Sequence, residues 1–348
     1  EAYQAMITAE VYQEKSATDA RDHLHLYQND HEAPVIQMSV AEVEDWPGAV
    51  KKYRLVAVDG ADLPQWTAGA HLDIVVAPEF LRQYSMCGDP ADRSCYEIAV
   101  LQEPEGRGGS QLMHRIFEPG RRVFVSKPIN HFELEPSAKL SLLFGGGIGV
   151  TPMLAFAHEL HRKGGRFRLM YSASQKSKAA FDGAFDGLAW ADRVSRHYSD
   201  QGTRLDIARD VPAYDAGTHI YVCGPDAYMS AILDHARSIG YPEAALHAEF
   251  FTVPELPEWE NHPFEIERAN GQKIPVTATQ SASDALIAAG IPVDVKCADG
   301  LCGVCKCTVL SGEVEHRDFV LSAAQRETTV ILCQSRAAEA GGMLKLDI

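Results

Sequence analysis

Short apolar runs alternate with turn residues between Val35 and Pro136. Val50 to Val58, His71 to Val76, Tyr96 to Leu101 and Arg122 to Ser126 read as strands. Asp59-Gly60, Ala68-Gly69, Gly88-Asp-Pro90 and Pro119-Gly120 punctuate them. Closely spaced strands with frequent turn signals predict an antiparallel barrel or sandwich. The pattern changes near Lys139. The apolar run Leu140-Ser-Leu-Leu-Phe144 leads into Gly145-Gly-Gly-Ile-Gly-Val-Thr151-Pro152, then a helical stretch from Met153 to Lys163. Thr151 reads as its N-cap and Pro152 as its first helical residue. New strands follow at Arg166 to Ser172, Arg193 to Tyr198 and His219 to Val222, with helical segments between them. That alternation predicts a parallel α/β domain over 137–251.

Residues 252–261 carry Pro254, Pro257 and several glutamates, and read as a linker. Beyond them, 262–348 combines strands at Phe264 to Arg268, Lys273 to Ala278, Thr308 to Leu310 and Val330 to Leu332 with a helix at Ser283 to Ala289. The opening stretch, 1–34, is polar and weakly patterned, a leader or docking segment. Its His23-Leu-His25 pair offers a metal-ligand alternative. Because the numbering opens on Glu1 and not on Met, a fragment cut from a longer polypeptide is expected, with a processed N-terminus as the alternative.

Composition narrows the class. The chain has 348 residues, 46% of them hydrophobic and 23% charged, enough for two or three globular domains. A formal charge of −16 argues against nucleic acid, whose phosphates would repel it. No apolar run is long enough to span a membrane. No signal peptide is visible, and cysteines grouped in one motif fit a reducing cytoplasm.

The most specific chemistry lies in Cys297-Ala-Asp-Gly-Leu-Cys302-Gly-Val-Cys305, completed by Cys333. C-x4-C-x2-C with a distant fourth cysteine is the plant-type [2Fe–2S] arrangement. Three thiolates from one loop converge only if the backbone curls, and Gly300 and Gly303 permit that. Cys307 reads as a bystander. Zinc is an alternative, but its tetrahedral sites usually pair two C-x2-C hairpins, and no second one exists here.

Two further clusters suggest cofactor phosphates. Arg82, Tyr84 and Ser85 share one strand, and Arg107-Gly108-Gly109-Ser110 opens the next helix. An arginine fork beside a helix N-terminus makes a phosphate clamp, with Tyr84 free to stack on a ring and Ser85 to donate to it. The Gly145–Pro152 turn departs from G-x-G-x-x-G and lacks the usual downstream acid, so it predicts a phosphate-binding turn or simply close helix–sheet packing. Tyr221-Val-Cys223-Gly224-Pro225 ends a late parallel strand, where open α/β sheets bind ligands. Cys223 is alternatively a buried small hydrophobe.

In this order the motifs resemble the phthalate dioxygenase reductase family over nearly the whole chain from Val35. The segment CADGLCGVCKCTVLSGEVEHRDFVLS is the most specific part. The resemblance implies an antiparallel β-barrel flavin domain (35–136), a parallel α/β nicotinamide domain (137–251) and an α+β, β-grasp [2Fe–2S] ferredoxin domain (262–348). It assigns Arg82, Tyr84 and Ser85 to the flavin, with Ser85 near the reactive N5. It gives Arg107, Gly108, Gly109 and Ser110 to the flavin phosphate, and a short phosphate loop favours FMN. Gly146, Gly147, Gly149 and Thr151 would face the nicotinamide cofactor; Cys223, Gly224 and Pro225 would lie by its ring, and Phe251 on the flavin. NADH is the expected donor. NADPH stays open because Ser172-Ala173 replaces the family's usual Ser-Arg while Lys176 and Lys178 lie nearby.

The implied function is an NAD(P)H-dependent reductase passing electrons through FMN and the cluster to a terminal oxygenase or other redox acceptor. That acceptor would be a Rieske enzyme in trans, or a haem monooxygenase or reductive dehalogenase fused upstream. The alternative class is a non-catalytic iron–sulfur or metal-binding module. Electrons are expected to leave through an exposed rim at Leu301–Val304 and His316–Asp318.

Overall fold

A computed structural model of the chain describes residues 36–77, 80–106, 108–251, 259–295, 298–321 and 323–348. The chain divides into two compact units, the first ending at Ala248 and the second beginning at Glu249.

The first unit opens with an antiparallel sheet. Its strands are β1 (Ile36–Trp46), β2 (Val50–Ala57), β3 (Ala70–Ala77), β4 (Phe80–Ser85), β5 (Tyr96–Leu101), β6 (Arg122–Val125) and β7 (Ile129–Asn130). Their order is β4-β3-β6-β1-β2-β5, with β7 on β3. Period-two alternation drives the pairing. Tyr53 and Leu55 of β2 and Tyr96, Ile98 and Val100 of β5 are all buried. The two outer strands meet through an isolated antiparallel bridge, Met86 to Ile98. The eight-residue helix α1 (Gly109–Ile116) lies between β5 and β6.

A second sheet follows in the same unit. β8 (Leu140–Gly146), β9 (Phe167–Ala173), β10 (Val194–Tyr198), β11 (Thr218–Cys223) and β12 (Leu246–Glu249) are ordered β10-β9-β8-β11-β12. β8 pairs in parallel with both β9 and β11. Helix α2 (Thr151–Arg162), the short α3 (Ile207–Asp210) and α4 (Asp226–Ser238) connect the strands. The helix expected to begin at Met153 starts at Thr151, preceded by a 3-10 turn over Gly147–Val150. Thr151 is therefore inside the helix and not its N-cap. Its Oγ1 donates back to the Ile148 carbonyl at 3.0 Å, because the tight turn leaves that acceptor within reach.

The second unit is a mixed sheet. β13 (Phe264–Arg268), β14 (Lys273–Val276), β15 (Lys306–Ser311), β17 (Thr329–Ile331) and β19 (Met343–Leu346) run in the order β14-β13-β19-β15-β17. β13 and β19 are parallel, and the other described pairs are antiparallel. β16 (Val314–Glu315) and β18 (Arg336–Ala337) form a separate ribbon. Helix α5 (Ala282–Ala288) carries a complete capping box, Ser281 with Asp284. A one-turn helix, α6 (Ala323–Arg326), precedes β17. Ile266, Leu286, Ile331, Leu344 and Leu346 fill the core. Among the described residues no helix is long and apolar enough to cross a membrane.

Candidate functional sites

β4 places Arg82 and Tyr84 opposite Ile74 and Leu72, and Ser85 opposite His71. Arg82 lies against the start of α1: a Cβ on Gly109 would come within 2.6 Å of Arg82 Nε. Gly108 turns the chain into the helix at φ +87°. Among the described residues no side chain caps that N-terminus. The uncapped amides and the guanidinium form a positive cradle that only glycine leaves open, which fits a cofactor phosphate. Ser110 Oγ accepts from the Glu103 amide at 3.0 Å, tying the preceding loop to the helix. Arg82 also lies 4.9 Å from the Phe80 ring centroid. Burial pushes the Tyr84 phenol well above its ordinary range, so the ring is neutral. Arg107 lies outside the described residues.

The glycine turn and the Cys223 segment meet at the carboxyl ends of β8 and β11, where Cys223 pairs with Gly145. A Cβ on Gly149 would sit 2.5 Å from the Cys223 carbonyl. One on Gly146 would meet Pro225 and the Tyr228 ring at 3.0 Å, and one on Gly224 would meet the Gly146 backbone at 2.9 Å. Gly147 differs: at φ +57° it has open space around it. Cys223 is fully buried. Ser172, marked above only for the donor's phosphate, and Tyr228, not marked from the sequence, join this group. Ser172 Oγ and Tyr228 Oη are buried without a well-formed hydrogen bond, and burial raises the Tyr228 phenol. The two hydroxyls lie against each other, Ser172 near the end of β9 and Tyr228 on α4, a polar pair beside the strand ends that fits a ligand such as a nucleotide. Tyr228 sits three positions after Pro225, one helical turn along, and that spacing was the available signal. Of the lysines in question, Lys176 Nζ lies 5.7 Å from the Tyr198 ring centroid. The Lys176 amide donates to Asp200 Oδ1 at 3.1 Å, placing a carboxylate beside it.

In the second unit Cys302, Cys305 and Cys333 are all buried. Cys297 lies outside the described residues, and among the described ones no three His, Cys, Asp or Glu side chains complete a metal-holding set. The scaffold nonetheless converges. The Leu332 amide donates to the Cys305 carbonyl at 3.1 Å, bringing Cys333 beside the loop. Gln334 Nε2 donates to the Ala298 carbonyl at 2.6 Å. The residue after Cys333 is thus bonded to the residue after Cys297. Ala298, Gly300 and Gly303 all have positive φ, the curl that a thiolate cage needs. Buried sulfurs on a curled loop fit an iron–sulfur cluster. Cys307 lies apart from them on β15, half-buried, with its thiol against the Thr308 and Asp347 carbonyls.

Two expectations change. His316–Asp318 is no exposed rim: Arg317 and Asp318 are 5% and 3% exposed. Arg317 is buried because Glu315 and Asn261 accept from its guanidinium, and Asp318 accepts from the Leu321 amide at 2.9 Å. Of the residues read as a linker, Trp259–Asn261 are held on the second unit, while 252–258 lie outside the described residues. Phe251 is exposed, and its neighbour Phe250 packs on Phe319.

Comparison with known proteins places these sites in context. A model of the 2Fe-2S iron–sulfur cluster binding domain matches residues 266–338. A vanillate O-demethylase oxidoreductase from a Pseudomonas species is 40% identical over 297 residues, covering 84% of this chain and 93% of its own length. The structure of an intact type IV self-sufficient cytochrome P450 monooxygenase superposes with a TM-score of 0.83 at 34% identity over 90% of the chain, which spans 41% of that protein. Phthalate dioxygenase reductase, described as a modular structure for electron transfer from pyridine nucleotides to [2Fe-2S], gives 0.65 at 33% identity, covering 90% of this chain and 98% of that one. The chain belongs to the phthalate dioxygenase reductase family.

Proposed function

We propose that this chain is an NAD(P)H-dependent reductase that supplies electrons, through FMN and a [2Fe–2S] cluster, to a terminal oxygenase. A flavin held here would supply the exchange between two-electron hydride chemistry and single-electron delivery to a cluster. The observation that carries the reading is the joining of Gly149 to Cys223 in the same unit as the Arg82–Gly109 cradle. One compact unit thereby holds a positive cradle and a closely packed turn at the carboxyl ends of parallel strands, where such sheets take ligands, and the cluster motif follows on the same chain.

The residues divide the work. Arg82, Gly108, Gly109 and Ser110, with Arg107, would hold the flavin phosphate. Tyr84 covers its ring, and Ser85 offers a hydroxyl at N5. Gly146, Gly147, Gly149 and Thr151 take the nicotinamide cofactor, with Cys223, Gly224 and Pro225 at its ring and Ser172 and Tyr228 on its polar parts. Cys297, Cys302, Cys305 and Cys333 would hold the cluster. The first sheet is then a flavin barrel (35–136), the second a nicotinamide domain (137–251), and the third a β-grasp ferredoxin domain (262–348) in a cytoplasmic protein. The Met86–Ile98 bridge and the mixed β14-β13-β19-β15-β17 sheet support those names. The Asp200 carboxylate beside Lys176 favours NADH over a donor carrying a 2′-phosphate. The acceptor is an oxygenase in trans, or a haem domain on the same polypeptide as in the type IV protein.

An anaerobic titration with NADH and NADPH, followed by visible absorbance, tests all three cofactors together. Flavin and cluster bands should bleach with NADH, and cytochrome c should be reduced in steady state. A colourless, iron-free protein, or bands indifferent to both nucleotides, defeats the proposal.

A further inference from the structure

The short run Glu315–Phe319 holds the chain at three places. Arg317 Nη1 donates to Asn261 Oδ1 at 2.6 Å, and Nη2 to the Glu260 carbonyl at 3.4 Å. The same guanidinium lies 4.9 Å from the Trp259 ring centroid. Glu315 accepts from its Nε at 2.9 Å. Phe319 meets Phe250 with ring centroids 5.2 Å apart at 53°. The Phe319 amide donates to the Gly300 carbonyl at 3.1 Å, and Gly300 lies inside the cluster loop. The entry segment of the second unit is thus held before and after residues 252–258 by a run that also holds the cluster loop.

Burying a guanidinium is costly unless its donors are met. Here Asn261 and the Glu260 carbonyl, both on the entry segment, meet donors that Glu315 leaves over. Arg317 is therefore comfortable only while that segment is in place. The Phe250–Phe319 pair adds an apolar contact with a preferred geometry.

We infer that Arg317 and Phe319 are positioning residues that clamp the entry segment onto the cluster loop, so that the cluster is carried at a fixed place on the incoming chain. The inference rests on the reductase reading for its kinetic consequence, but not for the clamp itself. The exposed electron exit then narrows to the half-buried Leu301 and Val304 side of the loop.

The test uses the full chain loaded with flavin and cluster. Phe250→Ala with Trp259→Ala strips the segment side and leaves the core of the second unit intact. Phe319→Ala strips the other side, and Phe319→Tyr restores the ring. Expected results are new proteolytic cleavage between 249 and 261 in the stripped variants, unchanged cluster g-values, unchanged flavin bleaching by NADH, and cluster reduction slowed about tenfold in stopped flow. Phe319→Tyr should return both cleavage and rate to normal. A double variant as resistant to protease and as fast as the parent overturns the clamp. If the parent itself fails to bleach with NADH, the reductase reading falls, and the cleavage pattern still decides the clamp.

Discussion

At the residue scale the glycines discriminate between packing and chemistry. Gly149 admits no Cβ because the Cys223 backbone is 2.5 Å from where it would be. Gly149→Ala should destabilise the first unit by about 1–3 kcal/mol and weaken nicotinamide binding at least tenfold, measured by thermal unfolding and by titration. Gly147→Ala meets open space and should cost only the left-handed strain, about 1–2 kcal/mol. The cysteines separate as sharply. Cys307→Ser should keep the cluster's visible and EPR spectra, because its thiol is directed to the Thr308 and Asp347 carbonyls. Cys333→Ser should lose the cluster spectrum. Spacing made the cluster motif legible in the sequence, and Cys302, Cys305 and Cys333 are buried on the curled scaffold it predicts. Tyr228 was not, since only the folded chain brings its hydroxyl, carried on α4, against Ser172. Arg317 was misplaced at the surface because a charged run usually is solvated, and only the folded chain brings Glu315 and Asn261 to it.

At the element scale β11 and β12 are joined by more than their backbones. His219 Nδ1 and His247 Nε2 are 3.0 Å apart, so one of the two must act as acceptor. The His247 ring stacks on Tyr221 with centroids 4.5 Å apart. Burial and the neighbouring His219 hold His247 down to about 4, while Glu135 pulls the other way. The sign follows directly. Above pH ~6.5 both folded and unfolded states are neutral and nothing is lost. Below it the unfolded chain takes a proton that the folded one refuses, and stability falls until about pH 4. The loss should reach about 2–3 kcal/mol, seen as a falling melting temperature. His247→Phe should flatten that slope. Elements themselves were largely legible. Tyr96–Leu101 and Phe264–Arg268 match their expected ends, because alternation continues up to a turn residue at each. The α2 start was not, because the 3-10 turn displaced the cap from Thr151 to Val150.

At the scale of the molecule two compact units imply two cooperative transitions. Calorimetry of the loaded chain should resolve them. Removing iron should lower the second unit's transition by several degrees and leave the flavin-bearing one in place, since a ligand stabilises only the unit that binds it. A single transition unmoved by iron would contradict that. The order of three sheets was legible from where alternation gives way to apolar runs. The tie between residues 259–261 and Arg317 was not, because it joins positions more than 50 apart in sequence.

The sheet orders also decide where such a chain is safe from its own copies. In the first sheet the outer strands are joined at Met86 and Ile98. Among the described residues the third sheet ends on β14 without such a bridge. That strand carries Pro275, which lacks a donor, and Lys273, whose charge resists a second strand. An electron donor must collide repeatedly with other proteins and leave again. Replacing Pro275 and Lys273 with valine would turn β14 into a sticky border, and self-association should appear there before any loss of fold.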